Sequence, residues 1–268
     1  MTDFTETDPP VRVPGFEVVH VDSWRKFARA INSKIGEIHS GDFVFRGQGD
    51  STWQLTASLD RRYPNLSPAR RKAVVEMLSK SFLDLADRAE LDLRIGKSRR
   101  DGAVMLGQHH GLATRMLDWS ESRYVAAFFA YAALTSRYVS SLEAEGAPRD
   151  HCVSVFALDL QSPVMSKESL TVVRASGTQN ERVRRQRGLF TVNRTNFTDI
   201  EGYIQSFGDR FADELTRTPL YRFDLPVREV TVALRDLQEM RISHDELFPG
   251  LDGVARESML REWLNTSV

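Results

Sequence analysis

Along the chain, apolar positions recur with helical spacing in some stretches and as short unbroken runs in others. Trp24, Phe27, Ala28, Ile31 and Ile35 fall three or four residues apart, which predicts an amphipathic helix, with Ser23 placed to cap it. Ser67-Pro68 stands before Val74, Leu78, Phe82, Leu85 and Ala89, so a long helix is expected to open there, its proline in the first turn. Further helices are expected at Val104-Met105-Leu106, after Trp119 with Tyr124, Ala127, Phe128 and Tyr131, and near the end over Val230–Met240 and Arg256–Leu264. The strand candidates are Phe43-Val44-Phe45, the run from Cys152 to Leu158, and segments near Thr171–Val173, Gly188–Val192 and Leu220–Leu225. Residues 1–15 are polar and carry Pro9, Pro10 and Pro14, which predicts an N-terminal arm, and Glu143–Asp150 reads as a surface loop. No repeat or linker divides the rest, so residues 16–268 are read as a single α+β domain, with helices flanking a mostly antiparallel sheet.

Composition narrows the class without naming a function. The 268 residues are 41% hydrophobic and 27% charged, as in ordinary globular proteins, and long enough to bury a substantial core. A formal net charge of −1 gives no global attraction to polyanions, so any basic site must be local. One cysteine, Cys152, excludes an internal disulfide and fits a reducing cytosol. With no long apolar run and no signal-like start, the expected location is cytoplasmic, with no membrane partner.

Four polar blocks interrupt this pattern. In the first, Arg46 follows a strand and is flanked by Gly47, Gln48 and Gly49. Its guanidinium fork suits a phosphate, a pyrophosphate or a carboxylate, the glycines letting a ligand approach the backbone; equally, Arg46 pairs with a core carboxylate and the glycines only break the strand into a turn. The second block, Gly107 to Ser120, crowds Gln108, His109, His110, Thr114, Arg115 and Asp118 into what reads as a short loop between apolar helices. Such groups must pair with one another or with a ligand. Adjacent histidines far from the lone cysteine are a poor metal set, so no metal is expected. No Gly-x-Ser-x-Gly elbow offers a serine nucleophile. Asp118 has plainer roles open to it, capping the next helix or pairing with Arg115, and Trp119 reads as core. The third block, from Asn180 to Phe190, holds four arginines, with Gln186 and Gly188 where the chain turns into a strand. The fourth, Ile242 to Gly253, reads as structural, Leu247, Phe248 and Leu251 fastening the C-terminal helices to the core.

Taken together, the blocks resemble the FRG domain, a bacterial and phage family named for its Phe/Tyr-Arg-Gly motif. The residues that carry the resemblance are Phe45-Arg46-Gly47-Gln48, the run Gln108 to Trp119 with the alanine-rich segment after it, Gln186 to Phe190, and Leu247 to Gly253, spread over about residues 20–262. The pattern also looks distantly like the ADP-ribosyltransferase fold, and this second resemblance implies a nucleotide cleft whose cofactor, used as a substrate, is NAD. It implies that Arg46 grips phosphate or ribose, that Gly47, Gln48, Gln108, His109, His110, Thr114, Arg115 and Trp119 line the cleft, and that Arg46, Asp118 and Gln186 serve the chemistry. The expected partners are then NAD or a related nucleotide and a protein or nucleic-acid target, in a toxin or phage-defence setting. Where that fold carries a late glutamate, this sequence has Gln186, and no Glu-x-Glu or Gln-x-Glu pair stands nearby. Two other functions fit the same residues: a nucleotide- or RNA-binding module using Arg46, Arg115 and Arg182–Arg187, and a nuclease using His109, His110 and Asp118.

Overall fold

The computed structural model describes residues 13–36, 42–91, 104–108, 110–138, 151–174 and 181–266. Its centre is a seven-stranded sheet: β1 (Phe16–His20), β2 (Phe43–Gln48), β3 (Met116–Ser120), β4 (Cys152–Asp159), β5 (Leu170–Val173), β6 (Gly188–Asn193) and β7 (Leu220–Pro226). The spatial order is β1-β7-β4-β2-β3-β6-β5. The β1–β7 pair is parallel, and all the others are antiparallel.

Alternation along the strands divides the core in two. Phe43 and Phe45, with Val153, Val155, Ala157 and Phe223, face the helices Phe27–Ile35, Arg123–Tyr138, Val230–Glu239 and Leu251–Thr266. Val44, Phe156, Leu158, Leu117, Trp119 and Leu189 point to the opposite face, where Leu55, Ile200 and Ile204 cover them. A sheet covered on both sides needs apolar residues at consecutive positions, which is why Val153 to Leu158 reads as an unbroken run. Among the described residues no helix is long and apolar enough to cross a membrane.

Several local expectations are corrected. β2 does not break at Gly47 but runs on to Gln48. The glycines there are required by helix packing: a Cβ on Gly47 would lie 1.9 Å from the Ala126 carbonyl oxygen, and one on Gly49 2.8 Å from the Ala133 Cβ. The alanines and glycines are thus two halves of one close strand–helix contact. Ser23 makes no side-chain cap; the chain enters the helix through a 3-10 turn, Trp24–Lys26, and the Trp24 backbone N–H is satisfied by the Glu229 carboxylate at 3.0 Å. By contrast, the helix Pro68–Arg88 opens where expected, with its proline in the first turn, and Ser67 caps it by accepting from the Arg70 N–H. The second half of the presumed 107–120 loop is a strand, β3, and residues 104–108 are helical. β1 went unread, because Phe16-Glu17-Val18-Val19-His20 is a half-exposed edge strand with little hydrophobic contrast. Gly15, assigned to the arm, is already buried against Ile204 and Gly208; residues 1–12 and the whole of the expected loop 143–150 lie outside the described residues. In the fourth block Leu247 and Phe248 do pack on the core, whereas Leu251 is 86% exposed.

Candidate functional site at the split of the sheet

The two halves of the sheet meet at one weak seam. Six residue pairs join β2 to β4 and five join β3 to β6, but β2 and β3 share a single pair, Phe45 with Ser120. Beyond that pair the strands part. Arg46, the next residue of β2, reaches across the gap: its Nη1 donates to the Asp118 carbonyl at 2.7 Å and lies 2.7 Å from the Asp118 carboxylate. A guanidinium therefore takes up a backbone acceptor that strand pairing would otherwise have satisfied. Its Nε is buried and makes no hydrogen bond.

A cavity of about 350 Å³ opens at this split. Arg46 and Gly47 of β2, Asp118, Trp119 and Ser120 of β3, Gln108, Gln186 and Arg182 line it, with Phe45, Phe129 and Phe190 supplying aromatic surface. The far wall is held by the turn into β6. Ser120 Oγ donates to the Gln186 carbonyl at 2.8 Å, the Glu121 N–H donates to the Arg187 carbonyl at 3.0 Å, and Arg187 adopts a positive φ of 48° to make the turn. The Gln186 side-chain amide donates to the Leu247 carbonyl at 3.2 Å, fixing its orientation beside the cavity. Burial pushes the pKa of Arg182 down, as does neighbouring Arg256, while Asp118 opposes both. The Arg182 guanidinium lies 4.4 Å from the centre of the Phe248 ring.

On the other side of the Arg46–Asp118 pair is a second, more open cavity of about 460 Å³. It shares Arg46, Gln108 and Asp118 with the first and adds Ser58, Arg61 and Arg62 from the short helix Ser58–Arg62. The Arg61 pKa is lowered by burial and by the adjacent positive charge of Arg46, with Asp118 acting against them. Among the described residues, the charged residues lining the two cavities are four arginines, at positions 46, 61, 62 and 182, and one carboxylate, Asp118, a local balance of +3 in a chain of net charge −1.

The residues expected to form one site separate accordingly. Arg46, Gly47, Gln108, Asp118, Trp119 and Gln186 converge on the first cavity. Trp119 is at the same time a core residue, its ring buried and its indole N–H donating to Thr191 Oγ1 at 2.8 Å. Thr114 is buried off the cavity and acts one step removed, donating to Gln108 Oε1 at 2.6 Å. Arg115 belongs to the scaffold: its Nε donates to Asp60 at 2.9 Å and its Nη atoms to the Thr195 and Phe197 carbonyls. It does not pair with Asp118, and Asp118, in the middle of β3, caps no helix. Gln48 is buried and lines neither cavity, because alternation along β2 puts it beyond Arg46 on the same face, beside the loop at Gln54. His110 is exposed and lines neither cavity, and His109 lies outside the described residues. No group of three or more His, Cys, Asp or Glu side chains suited to a metal occurs among the described residues. Arg61, Arg62 and Phe129 are lining residues that the sequence did not single out; an arginine doublet on a short helix looks the same whether it faces water or a cleft.

Residues 41–138, which include β2, β3, the Arg46–Asp118 pair and the alanine-rich helix, match the family model described as the FRG domain. No curated protein and no solved structure matches the chain.

Proposed function

We propose that the split of the sheet, formed by residues within the 41–138 stretch that matches the FRG domain, is a nucleotide-binding cleft that takes NAD, and that it transfers ADP-ribose to a protein or nucleic-acid target. The observation that carries this reading is the concentration of positive charge at a concave, partly aromatic site in a chain whose net charge is −1. Guanidiniums held in a cleft recognise phosphate by paired hydrogen bonds, and the cavity volume falls in the range of small-molecule sites. Arg46, anchored to Asp118 on one side, would direct its remaining donors at a pyrophosphate, and the aromatic wall would accept a flat ring.

In the transfer itself the bond between nicotinamide N1 and ribose C1′ breaks, its electron pair leaving with the nicotinamide and neutralising the ring. A nucleophile on the target then bonds to C1′ and gives up its proton. The ribose passes through an oxocarbenium-like state, so a negative charge fixed beside it lowers the barrier. The carboxylate that this cleft offers is Asp118, not a glutamate at the Gln186 position. Asp118 would offset the developing charge and take the proton, while Gln186 would hydrogen-bond a ribose hydroxyl. A binding module without turnover is the second reading, favoured by the neutral Gln186. Of the residues of the nuclease reading, Asp118 lines both cavities, His110 lines neither, and His109 lies outside the described residues.

Calorimetric titration with NAD tests the proposal. The wild-type protein is expected to bind, and Arg46→Gln to weaken binding at least about tenfold, as loss of a charged hydrogen-bonding group does. Absence of binding at millimolar NAD overturns it. Nicotinamide release in the presence of target, abolished in Asp118→Asn, separates the enzyme from the binding module.

A further inference from the structure

We infer that the second cavity, on the Arg61–Arg62 side of the Arg46–Asp118 pair, is a separate phosphate subsite, so that the cleft holds two anionic groups, one on each side of the pair. The assignment of the first cavity to a nucleotide rests on the reading above, but the geometry of the second stands independently. Arg46, Arg61, Arg62 and Asp118 line this one cavity, and there the positive charge of Arg46 works against that of Arg61 while Asp118 favours it. Among the described residues neither Arg61 nor Arg62 forms an ion pair with a carboxylate. Arg61 is positioned by donating to the Thr56 carbonyl, and Arg62 lies 5.8 Å from the centre of the Tyr63 ring. Elsewhere in the molecule, arginines brought together share a buried acid, as Arg71 and Arg115 share Asp60. At the second cavity Asp118 is already paired with Arg46, so Arg61 and Arg62 add positive charge that no lining carboxylate pairs with, and a phosphate, with several oxygens and up to two negative charges, can accept from both guanidiniums at once.

That phosphate has two possible sources of the same chemistry: an extra phosphate on the nucleotide that fills the first cavity, or the backbone of a nucleic-acid strand laid beside it. The full chain is titrated with inorganic pyrophosphate as wild type, Arg62→Gln, and the Arg61→Gln/Arg62→Gln double variant, with thermal melting to verify that each is folded. Because the Arg62 side chain makes no hydrogen bond within the described structure, its replacement alone keeps the test valid if the double variant unfolds. The subsite predicts binding by the wild type, a loss of at least about tenfold in the double variant, and an intermediate loss in Arg62→Gln. No pyrophosphate binding at millimolar concentration, or equal binding by the wild type and Arg62→Gln, overturns it. Two further arms locate the source. Tighter binding of NADP than of NAD, with the difference gone in the double variant, places the phosphate on the nucleotide. An oligonucleotide that binds alongside saturating NAD and is lost in the double variant places it on a strand. If neither arm responds to the double variant, the inference fails. Failure of the nucleotide reading looks different: NAD does not bind, yet pyrophosphate binding still depends on Arg61 and Arg62.

Discussion

Arginine and aspartate meet in two places in this molecule, and the two meetings do opposite work. In the scaffold, Asp60 lies between Arg71 and Arg115, 2.9 Å from each, with the three side chains 0%, 5% and 9% exposed. The remaining guanidinium donors go to carbonyls at Leu66, Thr195, Asn196 and Phe197, which ties the loops on one side of the sheet together. At the split, Arg46 and Asp118 are just as close, but Asp118 is 63% exposed and the pair opens onto two cavities. One arrangement is sealed inside the scaffold, and the other stands at the edge of two cavities. The difference lies in burial, not in residue type.

The largest effect should come from breaking the closed cluster. Asp60→Ala strands two buried guanidiniums, and a loss of about 3–5 kcal/mol is expected, measured by urea denaturation. A loss below about 1 kcal/mol would mean that the cluster is not the brace described above.

A second buried carboxyl sharpens the same contrast by pH. Burial pushes the Glu201 pKa up from its ordinary 4.5 to about 7, while its Oε2 accepts the Leu55 N–H at 2.7 Å. Because the folded value lies above the unfolded one, this group's contribution is fully present below about pH 4.5 and is lost as pH rises through about 7. The loss is on the order of 3 kcal/mol. Glu201→Gln should flatten stability between those two pH values; a profile unchanged by the substitution contradicts the assignment. Glu257 behaves in reverse: although burial works against ionisation, hydrogen bonds from His244, Arg261 and Gln238 hold it down to about 2, so its contribution disappears only as pH falls toward that value.

The smallest effect belongs to the open pair. Asp118→Ala should cost no more than about 1 kcal/mol of stability, because an ion pair with a 63% exposed carboxylate is worth little and Arg46 keeps its hydrogen bond to the backbone carbonyl at position 118. The same substitution should change ligand binding or turnover far more than stability. A melting temperature that falls as far as in Asp60→Ala would erase the distinction between the two regions.

Periodicity, punctuation and composition were enough to give the fold class and most elements. The long helix after Ser67-Pro68 and the strands around Phe43–Phe45, Val153–Leu158 and Leu220–Leu225 carry local signals strong enough to survive tertiary context. Arg46, Asp118 and Gln186 stood out because polar groups beside apolar runs need partners. Which partner each one has was decided only by packing. Arg115 and Asp118 are three residues apart, yet one is sealed into the scaffold and the other faces a cavity, since strand β3 places them differently against the sheet. Gly47 lines the first cavity, but what demands a glycine there is the helix carrying Ala126 and Ala130, which presses on β2. The split itself leaves no mark in either strand. It exists because β2 and β3 pair at one position and then diverge, and strand divergence is a property of the assembled sheet rather than of any segment of the chain.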